Sequence, residues 1–149
     1  MMQADVGLNR ILHNTQWVVG PHVHVAILVD LTMTLYSAIY LLLPMLTNDA
    51  KLYSQKLATF HVWAHLVGGI GMGAFMGMAG PQGMLRGTIY TDGEFLPYMV
   101  LAAVSGALLL LALGAFLITI VMTVGLKGAL GIFQRSELDP DDLLLERPE

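Results

Sequence analysis

Cysteine is absent from this chain, and charge is scarce: 7 Lys and Arg and 11 Asp and Glu among 149 residues, 12% in all. Without thiols there are no disulfides and no thiolate ligands, so any bound metal has to be held by imidazole, by carboxylate or by a cofactor's own ring. So little charge beside 56% hydrophobic residues excludes an ordinary soluble globular domain. There is no basic run. The formal charge of -4 comes largely from an acidic C-terminal stretch, which offers no footing for nucleic-acid binding. Residues 1–16 also lack the basic start and short apolar core of a cleavable signal peptide, so the first apolar segment is expected to stay in the mature protein.

What is present is apolar length. Three runs, at residues 17–45, 57–79 and 96–126, are each long enough for the ~20 residues that carry a helix across a ~30 Å hydrocarbon core. The first and third have length to spare, so they tilt or extend past the lipid. The expected architecture is an all-α membrane protein with three transmembrane helices, preceded by segment 1–16 and followed by an acidic tail, 127–149. That tail reads as mostly extended, with Leu143–Leu145 available to touch a neighbour. Lys and Arg in the short loops set the orientation. Lys51, Lys56, Lys127 and Arg135 lie on one side against Arg10 and Arg86 on the other. This puts the Thr47–Gln55 loop and the tail in the cytoplasm, with the N-terminus and the Gly80–Phe95 loop outside.

His22 and His24 stand in the outer third of the first run, five to seven residues past Trp17, or ~10 Å deep at the helical rise. In an α-helix, positions i and i+2 point about 200° apart. The two imidazoles therefore leave opposite sides, and one metal cannot easily take both. The spacing suits a helix clamped between two separate cofactors, and polar groups at this depth mark functional sites. Gly20-Pro21 immediately precedes the pair and is expected to kink or restart the helix; it either re-aims the histidines or merely loosens the first turn. Asp30, the one acid inside the span, lies eight residues after His22 and close to its face. Such a carboxylate carries protons from the cytoplasmic side or pairs with a partner helix.

The sequence from His13 to Thr47 carries a resemblance. His13-Asn14-Thr15-x-Trp17-Val18-Val19-Gly20, His22-x-His24 and Tyr40-x-Leu42-Leu43-Pro44-x-Leu46-Thr47 resemble the tenth-helix signature of haem–copper oxygen reductase subunit I, nearest the B-type oxidases and nitric oxide reductases. Gly77-Met78-Ala79-Gly80, followed by Arg86 and Tyr90, resembles the end of the eleventh helix and its arginine-bearing loop. The resemblance covers residues 11–126 and implies helices ten to twelve, with the third span matched by hydrophobicity and order alone. It implies that His22 binds the high-spin haem of the active site and His24 the low-spin haem. His13, Asn14 and Arg86 then hold haem propionates and the water near them. The sequence departs from the family pattern in three places: His13 to His22 spans nine residues where the family has eight, Val23 replaces a phenylalanine, and Gly87 follows Arg86 where a second arginine is customary.

The family's copper or non-haem iron ligands, and the second low-spin haem histidine, belong to helices that this chain lacks. The implied function is the C-terminal portion of a split catalytic subunit of a terminal oxidase in a prokaryotic plasma membrane, reducing oxygen to water with proton uptake. Its cofactors would be two haems shared with a partner membrane chain that carries the copper. Further oxidase subunits and a donor (cytochrome c, another small redox protein or quinol) complete the set of partners. A degenerate copy of the subunit, a nitric oxide reductase, a cytochrome b-like carrier and a non-catalytic scaffold are the alternatives. In the second span His61 and His65, at i and i+4, share one face. They read as neutral histidines bonded to neighbouring helices, or as a metal pair, a quinone pocket or a proton relay. Gly69, Gly73 and Gly77 repeat every four residues beside Gly68 and Gly71, a smooth strip that lets another helix approach closely. Thr32, Thr34, Tyr36, Ser37 and Tyr40 are expected to bond carbonyls or neighbouring helices.

Overall fold

The computed structural model describes residues 6–46, 51–91 and 93–125. The acidic tail with Leu143–Leu145, the basic residues Lys127 and Arg135, and the first part of the Thr47–Gln55 loop lie outside the described residues. Among the described residues the elements are helical, and the one extended pairing is an isolated antiparallel bridge between Thr15 and Leu85. Helix α1 covers Val6–Leu12, a π-helical segment covers Val18–Leu31 and runs into α2 at Thr32–Leu46, α3 covers Gln55–Ala79 and α4 covers Leu96–Val124. Among the described residues three helices are long and apolar enough to cross a membrane: Val18–Met45, Gln55–Ala79 and Leu96–Val124. The chain is an all-α, multi-pass membrane protein.

The first span, where Gly20-Pro21 is expected to kink or restart the helix, shows the disturbance as a changed winding. Its first 14 residues form a π-helix, in which N–H groups reach back five residues rather than four. Pro21 explains the start. It has no N–H to give to Trp17, and in an α turn its ring clashes with that carbonyl; a wider turn moves the carbonyl away. The segment is apolar on nearly every side, so no hydrophobic stripe penalises the wider winding.

Helix α3 is the centre of the bundle, and its glycines determine what packs on it. A Cβ built on Gly69 would lie 2.6 Å from Val29, one on Gly73 2.6 Å from Val25, and one on Gly77 2.8 Å from the Pro21 ring. The partner that the glycine strip receives is therefore the histidine-bearing π segment. Gly68 and Gly71 serve the neighbouring face: added Cβ atoms there would lie 2.9 Å and 2.8 Å from Ser105 of α4. Near the α1 end the close approach continues, since a Cβ on Gly80 would overlap the backbone of Trp17. Close backbone packing of this kind drives helix association where lipid is as apolar as the side chains.

At the other end of the bundle, where Ser54 caps α3 by accepting from Leu57 N–H at 3.2 Å, the contacts are aromatic. Tyr36 and Tyr40 of α2, His61 and His65 of α3 and Phe116 of α4 meet with ring centroids 4.6–5.7 Å apart. The loop after α3 folds onto the α1 end. Met84 and Phe95 are buried beside Ala79 and packed by Tyr90, Tyr98 and Met99. The first span remains the least covered: 6% of its most apolar window is buried, against 39% for α3. Most of its surface is left for lipid, partner helices or cofactors.

Candidate functional site

The four-residue seam Trp17, Pro21, Val25 and Val29 faces α3, and it orients everything else on the π segment. Hydrogen bonding from i to i+5 spaces successive side chains roughly 80° apart. His22 follows a seam residue and His24 precedes one, so they leave the seam on opposite flanks, about 160° from each other. Val23, between them, points away from α3 and is 42% exposed. The two-sided exit expected of an α-helix thus survives the change of winding.

The two rings are held differently. His24, half-buried, has Nδ1 2.8 Å from the Val19 carbonyl, five residues back. A carbonyl only accepts, so Nδ1 carries the proton and Nε2 keeps its lone pair free for a ligand. A bond of this kind is the usual way in which a metal-ligating histidine has its tautomer and ring plane fixed. His22 is exposed and has no hydrogen-bond partner among the described residues. Each imidazole would be free to ligate a haem iron on its own flank. On the His22 flank, Ala26 and Asp30 follow at four-residue steps. Asp30 is exposed, its carbonyl accepts from Thr34 Oγ1 at 2.8 Å, and its carboxylate has no partner among the described residues.

Backbone bonds bring the N-terminal segment and the arginine loop together. Arg86 N–H donates to the Asn14 carbonyl at 2.9 Å, and Gln16 N–H donates to the Met84 carbonyl at 2.9 Å. Thr15 is buried between them, donating through Oγ1 to the Leu12 carbonyl at 2.7 Å. His13 Nδ1 lies 3.2 Å from Asn9 Oδ1, which leaves Nε2 facing outward. His13, Asn14 and Arg86 are all exposed and sit at one end of the bundle. The Arg86 guanidinium has no carboxylate partner among the described residues. Anionic groups approaching this end would meet an unpaired fork of donors.

His61 and His65 lie elsewhere, in the seam between the first span and α3. His61 is fully buried, with Nδ1 2.9 Å from the Tyr40 hydroxyl. His65 is buried, with Nε2 2.5 Å from the Leu28 carbonyl and 2.9 Å from Thr32 Oγ1. Among the described residues no group of three or more His, Cys, Asp or Glu can hold a metal ion. Thr32, Thr34 and Ser37 donate to the carbonyls four residues back. Thr32 bonds both a carbonyl of its own helix and a neighbouring helix, as expected, but sequence reasoning did not name His65 as its partner. The available signal was the spacing of Thr32, Tyr36 and Tyr40, which matches that of His61 and His65 on the facing helix.

Residues 1–108 match the family described as Cytochrome C and Quinol oxidase polypeptide I. A protein of Agrobacterium tumefaciens named "Cytochrome c oxidase subunit 1 homolog" is 32% identical over 121 residues, covering 73% of this chain and 22% of the relative. A protein of the same name from Azorhizobium caulinodans is 32% identical over 103 residues, 69% of this chain and 18% of the relative. The "Cytochrome c oxidase subunit 1 homolog, bacteroid" of Bradyrhizobium diazoefficiens is 33% identical over 107 residues, 70% and 19%. The chain spans about a fifth of the length of these relatives. No solved structure matches it. Because the matched region takes in both histidines of the π segment, the glycine strip and the arginine loop, affiliation and geometry concern the same residues, and the chain belongs to the cytochrome c and quinol oxidase polypeptide I family.

Proposed function

We propose that this chain is the C-terminal portion of the catalytic subunit of a respiratory terminal oxidase, supplying one axial histidine to each of two haems. His22 serves the high-spin haem of the active site and His24 the low-spin haem. The observation that carries this reading is the opposed exit of the two imidazoles from one helix, with His24 Nδ1 tied to Val19 O and Nε2 left as the ligand. Haem, when bound, supplies the redox and oxygen chemistry. The chain's own part is to present two ligands from one rigid segment, so that the separation between the haems is set by a single helix backbone. His13, Asn14 and Arg86 hold the propionates through charge-assisted hydrogen bonds at the α1 end.

Copper and the remaining haem ligands come from further subunit I helices, which this reading assigns to a partner membrane chain; the matched region makes up about a fifth of the relatives' length. Cytochrome c, another small redox protein or quinol donates the electrons. The assembly lies in a prokaryotic plasma membrane with the α1 end outside, in keeping with the loop charges. Asp30, on the His22 flank and deeper in the membrane, receives protons from the cytoplasmic side.

Reduced-minus-oxidised spectra of the native membrane complex test the reading, with iron and copper counts and carbon monoxide binding. His22→Ala should remove the high-spin component and carbon monoxide binding. His24→Ala should remove the low-spin component and leave the carbon monoxide complex. Identical losses in both variants would contradict the two-sided clamp, and unchanged haem spectra in both would end the haem-ligand reading.

A further inference from the structure

A change from π to α winding inside one helix orphans one carbonyl. In the π segment each N–H reaches back five residues, and in α2 it reaches back four. Thr32 N–H still reaches Ile27 O and also approaches Val29 O. In the α pattern that follows, Val29 O is the acceptor due to the next N–H. The carbonyl that the register skips is Leu28 O. It lies deep in the span, where an unpaired backbone group costs several kcal/mol because there is no water to replace the bond.

Leu28 O is the carbonyl to which His65 Nε2 and Thr32 Oγ1 both turn, each at 2.5 Å. His65 reaches it from α3 while buried to 5% exposure. The carbonyl can only accept, so Nε2 carries the proton, and Thr32 Oγ1, 2.9 Å away, shares it while donating its own hydrogen to the same oxygen. One turn further along α3, Gly69 seats Val29, which fixes the π segment against the helix that carries His65. His65 Nδ1 is buried without a partner, so the ring's one bonding direction is spent on this junction.

We infer that His65 is a positioning residue: by satisfying the carbonyl orphaned at the π-to-α junction, it holds the π winding that aims His22 and His24. Without His65 the carbonyl keeps only the Thr32 hydroxyl, and α winding through the segment becomes the cheaper way to bond Leu28 O fully. Each residue then turns roughly 10–20° further. His24 lies eight residues before Thr32 and His22 ten, so both imidazoles swing by on the order of 90° or more relative to α2. The inference rests on the proposed haem reading for its functional consequence, and on the junction alone for its structural one.

The test uses the native complex with 13C=18O placed at Leu28. His65→Leu should shift the Leu28 carbonyl infrared band to higher frequency if the carbonyl is left with the Thr32 hydroxyl alone, or move it to the band position of ordinary α-helix if the segment rewinds. It should also change the electron paramagnetic resonance signature of the low-spin haem at unchanged haem content. His65→Gln, which keeps a donor, should restore both signals. Thr32→Val removes one of the two donors with little change in volume, and should shift the carbonyl band in assembled complex even if His65→Leu fails to assemble. An unmoved Leu28 band in Thr32→Val, or in assembled His65→Leu, overturns the inference. A band that shifts while the haem signature stays fixed overturns the positioning role. Haem spectra indifferent to His22→Ala and His24→Ala overturn the underlying reading instead.

Discussion

Gly20 of the π segment rests directly on the backbone of Gly73: a Cβ added to Gly20 would overlap the Gly73 carbonyl and the Gly77 amide nitrogen. For Gly20 the obstacles are backbone, which no side-chain rotation can move; for Gly73 the nearest is the Val25 methyl at 2.6 Å, backed by the Gly20 carbonyl at 3.0 Å. Gly20→Ala and Gly73→Ala should therefore destabilise the bundle by about 1–3 kcal/mol through overpacking. Gly114→Ala, with nothing within 4 Å of the new Cβ, should be neutral or slightly favourable in a helix interior. Unfolding titrations in detergent, followed by circular dichroism, separate the two cases. Equal stability of Gly73→Ala and Gly114→Ala would remove the seam from the account.

The Tyr40–His61 bond joins α2 to α3 inside the membrane. Tyr40→Phe strips His61 of its Nδ1 partner, and Nε2 is already unpartnered. A buried polar group left alone costs about 1–3 kcal/mol. Replacing both partners by apolar groups should cost less, so the double variant Tyr40→Phe/His61→Leu is expected to recover part of the loss. A double-mutant cycle measures this coupling. Strictly additive losses would show that the hydroxyl and the imidazole do not depend on each other.

The three spans were legible from the sequence because length and hydropathy alone decide them, and the glycine repeat was legible as a close-packing strip. Its occupant was not, since nothing in Gly69, Gly73 and Gly77 says which helix will arrive. The π winding was also hidden. A segment such as Val23-His24-Val25-Ala26-Ile27-Leu28-Val29 is apolar on nearly every side, so its pattern does not distinguish the wider π turn from the 3.6 residues of an α turn. Only Pro21 hinted at disturbed winding, and a local kink was the simpler expectation. The histidine pair kept its two-sided geometry because i and i+2 fall on opposite flanks in either winding. The Leu28–His65 bond had no counterpart in sequence, because a backbone acceptor leaves no trace in residue type.

His61 and His65 share a face, yet each ring already has a protein partner, and the ring centroids are 5.7 Å apart. A metal at this pair would have to displace Tyr40 or Leu28 O and would find no third His, Cys, Asp or Glu among the described residues. His61→Gln should leave the iron, copper and zinc counts of the purified complex unchanged. Loss of one equivalent of any metal would restore the pair as a metal site.

Pro21 and His65 stand at the two ends of one conformational problem. The proline starts the π winding by withholding an N–H from Trp17, and the histidine closes it by bonding the carbonyl that the return to α skips. In Pro21→Ala the missing N–H is restored, and α winding can run through the segment. Leu28 O then takes Thr32 N–H in the ordinary way, and His65 loses its structural task. His65→Leu in the natural background leaves Leu28 O with the Thr32 hydroxyl as its one donor and should therefore cost about 0.5–1.5 kcal/mol, the net worth of one hydrogen bond. In the Pro21→Ala background the same substitution should cost less than half as much. The two changes meet through a register and not through contact, so their coupling cannot come from a shared interface. Unfolding free energies of the four proteins in the cycle supply the measurement. Additivity between Pro21→Ala and His65→Leu would mean that proline and histidine act on separate features of the span.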